Sequence, residues 1–426
     1  MSLGGAINSA VSALQAQSQA LAMISDNISN SSTVGYKSTS ANFSALVTQQ
    51  YGSVGYASGG VSVSSQHSVS QQGLIQSASS STSLALDGSG LFVVAQIGDN
   101  GKVSYAYTRD GQFSTNDDGQ LANAAGYVLL GYPVDENGDP LSGVSNVTDL
   151  EPIDIDSISG TAEPTSAVEL AANLPADAEI GDAFTTDVEL FDSLGLSHDV
   201  TLTWTKTAEN SWELDFSNPT ASGDGTTETG TSSGGPIAIT FNSNGTLASL
   251  SPADVTLTVS GWTTGAADST IAFDLGESGS ADGLTQYASE DDDPDVEIDT
   301  LEADGARYGA FVNVSISEDG LVTANFENGL TRPIYQIPIA VFANPNGLQA
   351  ISGNVYLPTG DSGGYLLKNA GEGSTATIQS SALESSTVDI ADEFSKMIIA
   401  QQAYSAASKV VTTADEMMDT LINAVR

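Results

Sequence analysis

The chain has 426 residues, of which 53 are acidic, 10 are basic and none is cysteine, and its formal net charge is −43. This length favours two or three domains, the charge argues against nucleic acid and anionic membranes as partners, and the lack of thiols excludes disulfides and Cys-based metal sites. The sequence contains no run of about 18 apolar residues, so no transmembrane helix is predicted. The opening MSLGGAINSA lacks the basic and apolar segments of a secretory signal peptide.

The first element in chain order is a predicted helix over residues 2–30. Its apolar residues alternate at spacings of three and four, which is the periodicity of a helix or coiled coil. The segment is almost uncharged, because Asp26 and Lys37 are the only formal charges from Met1 to Leu86. The periodicity alone predicts, with equal weight, a seam between copies of the chain in a polymer or ordinary packing on a β-domain. The seam comprises Leu3, Ile7, Leu14, Leu21, Ile24 and Ile28.

A first β-domain is predicted after an extended segment. Asp87-Gly88 and Asp110-Gly111 are turn pairs between apolar segments that alternate as strands do, and glycine supplies the positive φ of tight turns. A partner segment for this domain follows the middle of the chain. We therefore predict extended linkers at 31–86 and 376–386 and an inner β-domain at 87–162 and 303–375.

The middle of the chain, residues 163–302, is predicted to be an autonomous outer β-domain, either a barrel or a sandwich. Its segments alternate between apolar and polar residues, and we expect its tryptophans in a core rather than in a carbohydrate site. The acidic run EDDDPDVEID at 290–299 is predicted to be an exposed linker. The tryptophans are Trp204, Trp212 and Trp262.

The charge is placed unevenly along the chain. From Asp110 to Ala306 there are 38 acidic residues and one basic residue, Lys206. This pattern predicts neutral ends that pack against copies of the chain without repulsion, and an acidic middle with a solvent-facing surface. A salt-adapted source would explain acidic surfaces, but not the neutral first 86 residues.

A second amphipathic helix is predicted over residues 387–426. Thr387 or Asp389 can cap its start, and Glu393 falls in its first turn. The predicted fold class is therefore mainly β with terminal α-helices: two discontinuous β-domains and a helical coiled-coil pair formed by 1–30 and 387–426. The apolar face of this helix comprises Phe394, Ile398, Val411, Met418, Ile422 and Val425.

Catalysis, cofactors and metals are not predicted. The chain has two histidines, His67 and His198, which we expect to be solvated, and no nucleophile–base motif. The acidic loop from Asp135 to Asp139 invites a calcium site, but it lacks the ligand pattern that ends in a glutamate. Turn chemistry is the preferred interpretation of that loop.

Three segments of the sequence resemble the rod–hook family of axial flagellar proteins. They are SALQAQSQALAMISDNISNSSTVGYKS near the start, LALDGSGLFVV with YTRDGQFSTNDDGQLANAAGYVLLGYP, and LESSTVDIADEFSKMIIAQQAYSAASKVVTTADEMMDTL near the end. The middle segments LFDSLGLSHDVTLTWTK and ITFNSNGTL resemble the hook proteins of this family rather than the short rod proteins. EDDDPDVEID is more acidic than the hook pattern.

The resemblance implies a structural subunit of the flagellar hook, a curved and flexible tube that transmits torque from rod to filament. It implies that the terminal helices form the inner tube, and that the partners are copies of the chain, rod proteins, the hook cap, hook–filament junction proteins and the type III export apparatus. It also implies location in the flagellum, outside the cell. A distal rod protein, an acidic secreted calcium-binding adhesin and a glycosidase with paired carboxylates are the alternatives.

Overall fold

A computed structural model describes residues 3–46, 59–98, 102–141, 146–289, 294–373 and 375–424. The chain begins with helix α1 (Leu3–Ser29), ends with helix α2 (Ile390–Ala424) and is mostly β between them. The predicted fold class, mainly β with terminal helices, is therefore confirmed. Asp389 caps α2, because its Oδ1 accepts hydrogen bonds from the backbone N–H groups of Ala391 at 2.8 Å and Asp392 at 3.2 Å.

The strands are numbered in chain order. The first ten are β1 (Thr39–Ala45), β2 (Val61–His67), β3 (Ile75–Ser77), β4 (Leu84–Asp87), β5 (Leu91–Ile97), β6 (Val103–Thr108), β7 (Ser114–Thr115), β8 (Leu121–Ala122), β9 (Val128–Pro133) and β10 (Glu151–Pro152). The next thirteen are β11 (Thr161–Glu163), β12 (Ala167–Asn173), β13 (Ala183–Phe191), β14 (Ser197–Ala208), β15 (Ser211–Phe216), β16 (Thr220–Ala221), β17 (Thr231–Ser233), β18 (Ile237–Phe241), β19 (Leu247–Ser251), β20 (Val255–Ser260), β21 (Ser269–Asp274), β22 (Glu297–Ala303) and β23 (Ala306–Gly309). The last nine are β24 (Phe311–Ile316), β25 (Leu321–Phe326), β26 (Thr331–Gln336), β27 (Pro338–Phe342), β28 (Gln349–Ile351), β29 (Val355–Leu357), β30 (Tyr365–Asn369), β31 (Thr377–Ser380) and β32 (Ala382–Glu384).

The chain divides into two compact units. The first unit is Met1–Ile158, Asn313–Ala324 and Arg332–Arg426, and the second unit is Ser159–Val312 and Asn325–Thr331. The outer β-domain predicted at 163–302 falls within the second unit, and its exact limits stay a prediction.

A large sheet forms the centre of the first unit. Within it, β5 pairs antiparallel with both β6 and β9, so that Val94 lies opposite Ala106 and Leu129. The run LFVVA of β5 is buried throughout, which is the pattern of a strand covered on both faces. The segments predicted as linkers also form strands, because β3 pairs with β32 and β4 pairs with β31. These two pairs join the segment that precedes the large sheet, which holds β3 and β4, to the segment that follows it, which holds β31 and β32.

The second unit is a sandwich of two sheets around one core. One sheet has the strand order β17-β20-β21-β12-β22, and the other has the order β13-β14-β15-β18-β19 with β16 beside β14. In β14, Val200, Leu202 and Trp204 are buried and alternate with threonines, as period-two strands require. The predicted core position of the tryptophans is confirmed, since Trp204, Trp212 and Trp262 are all buried in this core.

Two predictions for the second unit are wrong. The acidic run at 290–299 is not a linker throughout: residues 290–293 lie outside the described residues, but Glu297 begins β22, which pairs with β12. His198 is not solvated but buried, and its ring lies 4.4 Å from that of Trp262. The strand position of Glu297 and the burial of His198 both result from pairing between distant strands, which the local composition does not reveal.

His198 belongs to a buried polar network centred on Asp192. The Oδ1 atom of Asp192 accepts hydrogen bonds from the backbone N–H groups of Leu194 at 2.9 Å and Leu196 at 3.0 Å. Its Oδ2 atom accepts from the Thr264 hydroxyl at 2.7 Å and lies 3.2 Å from Nε2 of His198. Burial acts to raise the pKa of Asp192, but these hydrogen bonds outweigh it and hold the pKa below its ordinary value.

We expect the Asp192→Asn substitution to destabilise the second unit by about 2 kcal/mol at pH 7, because hydrogen bonds to a buried carboxylate are lost. The folded-state pKa of Asp192 is lowered, so its ionised form stabilises the protein above the ordinary aspartate pKa, and this stabilisation is lost as pH falls through the lowered value. Urea unfolding of both proteins should therefore show a difference that shrinks below about pH 4. A difference independent of pH would contradict this account.

Candidate assembly interface

The two terminal helices lie side by side in the first unit and run antiparallel. Near the end of α1, Nδ2 of Asn27 donates a hydrogen bond at 3.1 Å to Oε2 of Glu393, near the start of α2. α1 also packs against the hairpin β1–β2. The buried apolar residues of the pair are mostly small, which allows close approach of the helix axes; they are Ala10, Ala16, Ala20, Ile24, Ala400 and Ala414.

Many of the large apolar side chains of α2 are not covered by this contact. Phe394, Ile398 and Ile422 are 49%, 55% and 59% exposed. Lone exposed apolar residues are common on protein surfaces, but a concentration on one helix indicates a site covered by another molecule. The exposed large apolar residues of α2 are Ile390, Phe394, Ile398, Ile399, Tyr404, Val410, Met417, Met418 and Ile422.

Helix geometry explains why these residues are uncovered. Asn27 of α1 stands level with Glu393 of α2, and the helices are 27 and 35 residues long. The helices are antiparallel and rise equally per residue, so Leu3 at the start of α1 lies level with roughly residue 417 of α2. Met418 and Ile422 therefore lie beyond the end of α1 and are not covered by it. Phe394 and Ile398 instead lie on the side of α2 that faces away from α1, since they are one and five residues beyond the buried Glu393 at about 100° per residue. The five described residues of the predicted face of α2 therefore occupy two sides of the helix, with Phe394 and Ile398 on one side and Val411, Met418 and Ile422 on the other.

The residues predicted on α1 lie beside its buried face. Ile7, Leu14, Leu21 and Ile28 are partly exposed, in a stripe next to the alanines. Ile24 is buried within its own chain and offers little surface to a second copy. Leu3 is the first residue of α1. On α2, Val411 is partly exposed, and Val425 lies outside the described residues.

Asn27 fixes the end of α1 to its surroundings. Its Oδ1 accepts hydrogen bonds from the Thr39 backbone N–H at 2.9 Å and the Tyr36 hydroxyl at 3.2 Å, and its Nδ2 donates to the Thr39 carbonyl at 2.8 Å. Glu393 in turn accepts from the Lys396 ammonium at 2.8 Å. The side chain of Asn27 thus joins α1, β1 and α2, and it is itself buried.

A second polar centre joins the helices to the sheet. The carboxylate of Glu384 is fully buried between two cations: Nζ of Lys37 lies 2.5 Å from Oε1, and Nε of Arg109 lies 2.5 Å from Oε2. Oε1 also accepts from the Gly73 backbone N–H at 2.6 Å. These residues come from the segment after α1, the turn after β6 and the last strand before α2. Glu384 therefore connects three distant parts of the sequence.

The two cations of this centre are held by backbone carbonyls as well. Arg109 donates from Nη1 to Gly90 at 2.5 Å and from Nη2 to Leu86 at 3.0 Å and Gly88 at 2.7 Å. Lys37 also donates to the Gln71 carbonyl. Burial lowers the pKa of Lys37 below its ordinary value, although the Glu384 carboxylate acts in the opposite direction. The centre is thus fully hydrogen-bonded, as buried charges require.

Gly35 allows the chain to reach this centre. It has φ of +64°, and a Cβ at this position would lie 2.8 Å from backbone atoms of Arg109. Its N–H donates to the Glu384 carbonyl at 2.8 Å. The glycine in TVGYK therefore permits a close approach that other residues would block.

The Lys37–Glu384–Arg109 centre was not predicted from the sequence. One signal was present, because Lys37 is one of two formal charges in the first 86 residues. An isolated charge in a neutral segment is a candidate for burial with a partner, but the sequence does not show which of 53 carboxylates pairs with it.

The described part of the chain offers no cluster of three His, Asp or Glu side chains arranged to hold a metal ion. In the acidic loop, Oδ1 of Asp135 accepts hydrogen bonds from the backbone N–H groups of Asn137 at 3.0 Å and Asp139 at 2.9 Å, which is the predicted turn chemistry. Neither described helix has the length and hydropathy of a membrane span.

Comparison with known families covers most of the chain. The family described as "Flagella basal body rod protein" matches residues 7–37, and "Flagellar hook protein FlgE/F/G D1 domain" matches residues 85–174. "Flagellar basal body protein FlaE D2 domain" matches residues 156–306, and "Flagellar basal body rod FlgEFG protein C-terminal" matches residues 379–424.

Individual relatives match from end to end. The flagellar hook protein FlgE of Rhizobium meliloti is 36% identical over 432 residues, and that of Brucella suis is 35% identical over 431 residues; each match covers 100% of both chains. The crystal structure of Helicobacter pylori flagellar hook protein FlgE2 matches with a TM-score of 0.49 at 15% identity, covering 71% of this chain and 99% of that chain.

We expect Glu384→Gln to destabilise the first unit by about 3–5 kcal/mol, because two buried cations lose their counterion. The substitution keeps the side-chain volume, so the loss reports charge rather than packing. Denaturant unfolding measures it, with Glu372→Gln as the matched control at an exposed position, where the change should stay within about 0.5 kcal/mol. Equal stability of the two variants would show that the buried centre does not hold the unit together.

Proposed function

The chain belongs to the flagellar hook protein family and is a structural subunit of the bacterial flagellar hook. We propose that its copies are held together by the exposed apolar residues of α2 and the partly exposed apolar residues of α1. As a hook subunit it assembles with copies of itself and with other flagellar components. The observation that supports the proposal is the set of uncovered apolar side chains on α2, between Ile390 and Ile422. The contact between α1 and α2 within one chain uses mainly alanines and leaves these side chains exposed.

Burial of these apolar side chains supplies enough free energy for such an interface. Complete burial of an isoleucine or phenylalanine side chain stabilises an assembly by about 1.5–3 kcal/mol. Several such residues on each subunit can offset the loss of translational and rotational freedom on association. Before residue 410, α1 and α2 together carry only five charged side chains of mixed sign, so electrostatic repulsion between copies is small there. They are Asp26, Asp392, Glu393, Lys396 and Lys409.

The β-rich remainder of the chain suits a different task. A hook that transmits torque from rod to filament must bend, so contacts between its β-structures need to form and break as it turns. The second unit contains 29 acidic and two basic residues, and contacts between such surfaces are weak and hydrated. We propose that the helices provide the permanent contacts and the β-units the exchangeable ones.

The family matches also support a partner. The segments 7–37 and 379–424, which hold both helices, match families described by the flagellar rod. We propose that rod subunits present similar helices, so that the first hook subunits continue the packing of the rod. The hook cap, the junction proteins and the type III export apparatus remain proposed partners from the family resemblance. A catalytic role is not proposed, because the family is structural.

We expect the double substitution Ile398→Ser with Ile422→Ser to abolish assembly into tubes while the free subunit keeps its stability. Both side chains are exposed in the subunit, so their loss removes little from its own packing. Electron microscopy of purified chain under assembly conditions measures polymer, and thermal unfolding measures the subunit.

The matched control is Leu74→Ser with Leu366→Ser, which changes two residues that are 77% and 57% exposed on the β-structure of the same unit. This control should still form tubes. Tubes from the helix variant, or loss of tubes in both variants alike, would contradict an interface built on the terminal helices.

A further inference from the structure

The second unit carries a distinct apolar turn at each end of one strand. β13 runs from Ala183 to Phe191, preceded by the turn Glu179–Asp182 and followed by the turn Asp192–Leu196. At about 3.3 Å per residue, the two turns are separated by more than about 25 Å. The two turns therefore lie at opposite ends of β13.

The turn after β13 is rigid and presents two leucines. Leu194 and Leu196 are 52% and 51% exposed, although their backbone N–H groups are both bound by the buried carboxylate of Asp192. Gly195 between them has φ of +77°, and a Cβ there would lie 2.5 Å from the Tyr308 backbone nitrogen. Exposed leucines on a preorganised turn lose little conformational entropy on binding, which favours a docking role.

The same end of the unit carries its one exposed cation. The basic residues of the second unit are Lys206 and Arg307. Lys206 is buried and donates to the carbonyls of Ala176 at 2.7 Å and Ala178 at 2.9 Å. Arg307 is exposed and adjoins Tyr308, whose N–H donates to the Gly195 carbonyl at 3.3 Å. We call Leu194, Leu196, Arg307 and Tyr308 the Arg307 patch.

The turn before β13 has the complementary character. Ile180 is 69% exposed at its tip, and three acidic residues, Asp177, Glu179 and Asp182, lie within three residues of it along the chain. The turn is closed by the Asp182 carboxylate, which accepts from the Glu179 N–H at 2.7 Å, and by the Gly181 N–H, which donates to the Lys206 carbonyl at 2.8 Å. We call Asp177, Glu179, Ile180 and Asp182 the Ile180 patch.

We propose that the Arg307 patch of one copy docks on the Ile180 patch of the next copy, an inference that rests on the proposed function. Each patch has exposed apolar side chains at its centre, and the single exposed cation of the unit meets a group of carboxylates. Because the patches differ and lie at opposite ends of a strand, the contact is head-to-tail, and repeated head-to-tail contacts that do not close into a ring build an open line of subunits.

The absence of native cysteine makes a direct test possible. In the full chain, Ile180→Cys with Leu194→Cys places the only two thiols on the two patches, too far apart within one chain to be bridged. After assembly, treatment with a short bis-maleimide should give a ladder of covalent multimers on denaturing electrophoresis. The matched control is Leu194→Cys with Thr256→Cys, since Thr256 is exposed on β20, and it should give no ladder.

The outcomes separate this contact from the general proposal. Tubes without a ladder above the control would overturn the docking of the two patches and leave the helix-based assembly standing. Failure of the unsubstituted chain to form tubes would overturn the proposed function itself, and this inference with it.

A charge exchange provides a second measurement that needs no crosslinking. Arg307→Glu should raise the critical concentration for assembly about fivefold, as the loss of one ion pair and the gain of repulsion imply. Glu179→Arg combined with Arg307→Glu should restore assembly, whereas Glu213→Arg combined with Arg307→Glu should not. Equal behaviour of the two double variants would overturn the proposal.

Discussion

A single buried carboxylate, that of Glu384, sets how the helical ends of this chain connect to its β-structure. Removing it from water together with Lys37 and Arg109 is costly, and the cost is met only because each polar atom has a partner at close range. A centre of this kind permits one arrangement of the segments after α1, after β6 and before α2. Its value lies in specifying that arrangement rather than in stability alone, since apolar residues of similar volume would pack at lower desolvation cost.

The helix pair combines a tight internal contact with an uncovered outer surface. Alanines such as Ala20 and Ala400 let the helices approach, but they bury little area. The larger residues, such as Phe394 and Ile398, cannot take part in that contact because they lie on the far side of α2. The apolar area of these helices is therefore available to other copies, and binding that covers it stabilises the folded subunit by mass action. Under the proposed assembly, folding of the helical ends is therefore coupled to polymerisation.

The helices, the fold class and the tryptophan core could be predicted because they depend on local periodicity. The existence of α1, a cap at Thr387 or Asp389 and the burial of Trp204 follow from spacing and residue type, and the structure selects Asp389 as the cap. The ion centre at Glu384 and the burial of His198 could not be predicted, because each requires partners that are brought near by strand pairing. The uncovered end of α2 could not be predicted either, because it depends on which residue of α1 lies beside which residue of α2 and on the shorter length of α1.

The uneven charge of the chain supports the proposal that one polymer contains both lasting and exchangeable contacts. Where charges are few, as in α1, apolar burial between copies is opposed by little electrostatic repulsion. In the second unit, most surface carboxylates lack a cation to meet, so any contact between copies works against repulsion that salt screens only beyond about 8 Å. An attractive contact there must use the few places where the field changes sign. Arg307, next to two rigidly held leucines, is such a place, and a contact limited to it stays weak enough to shift as the polymer bends.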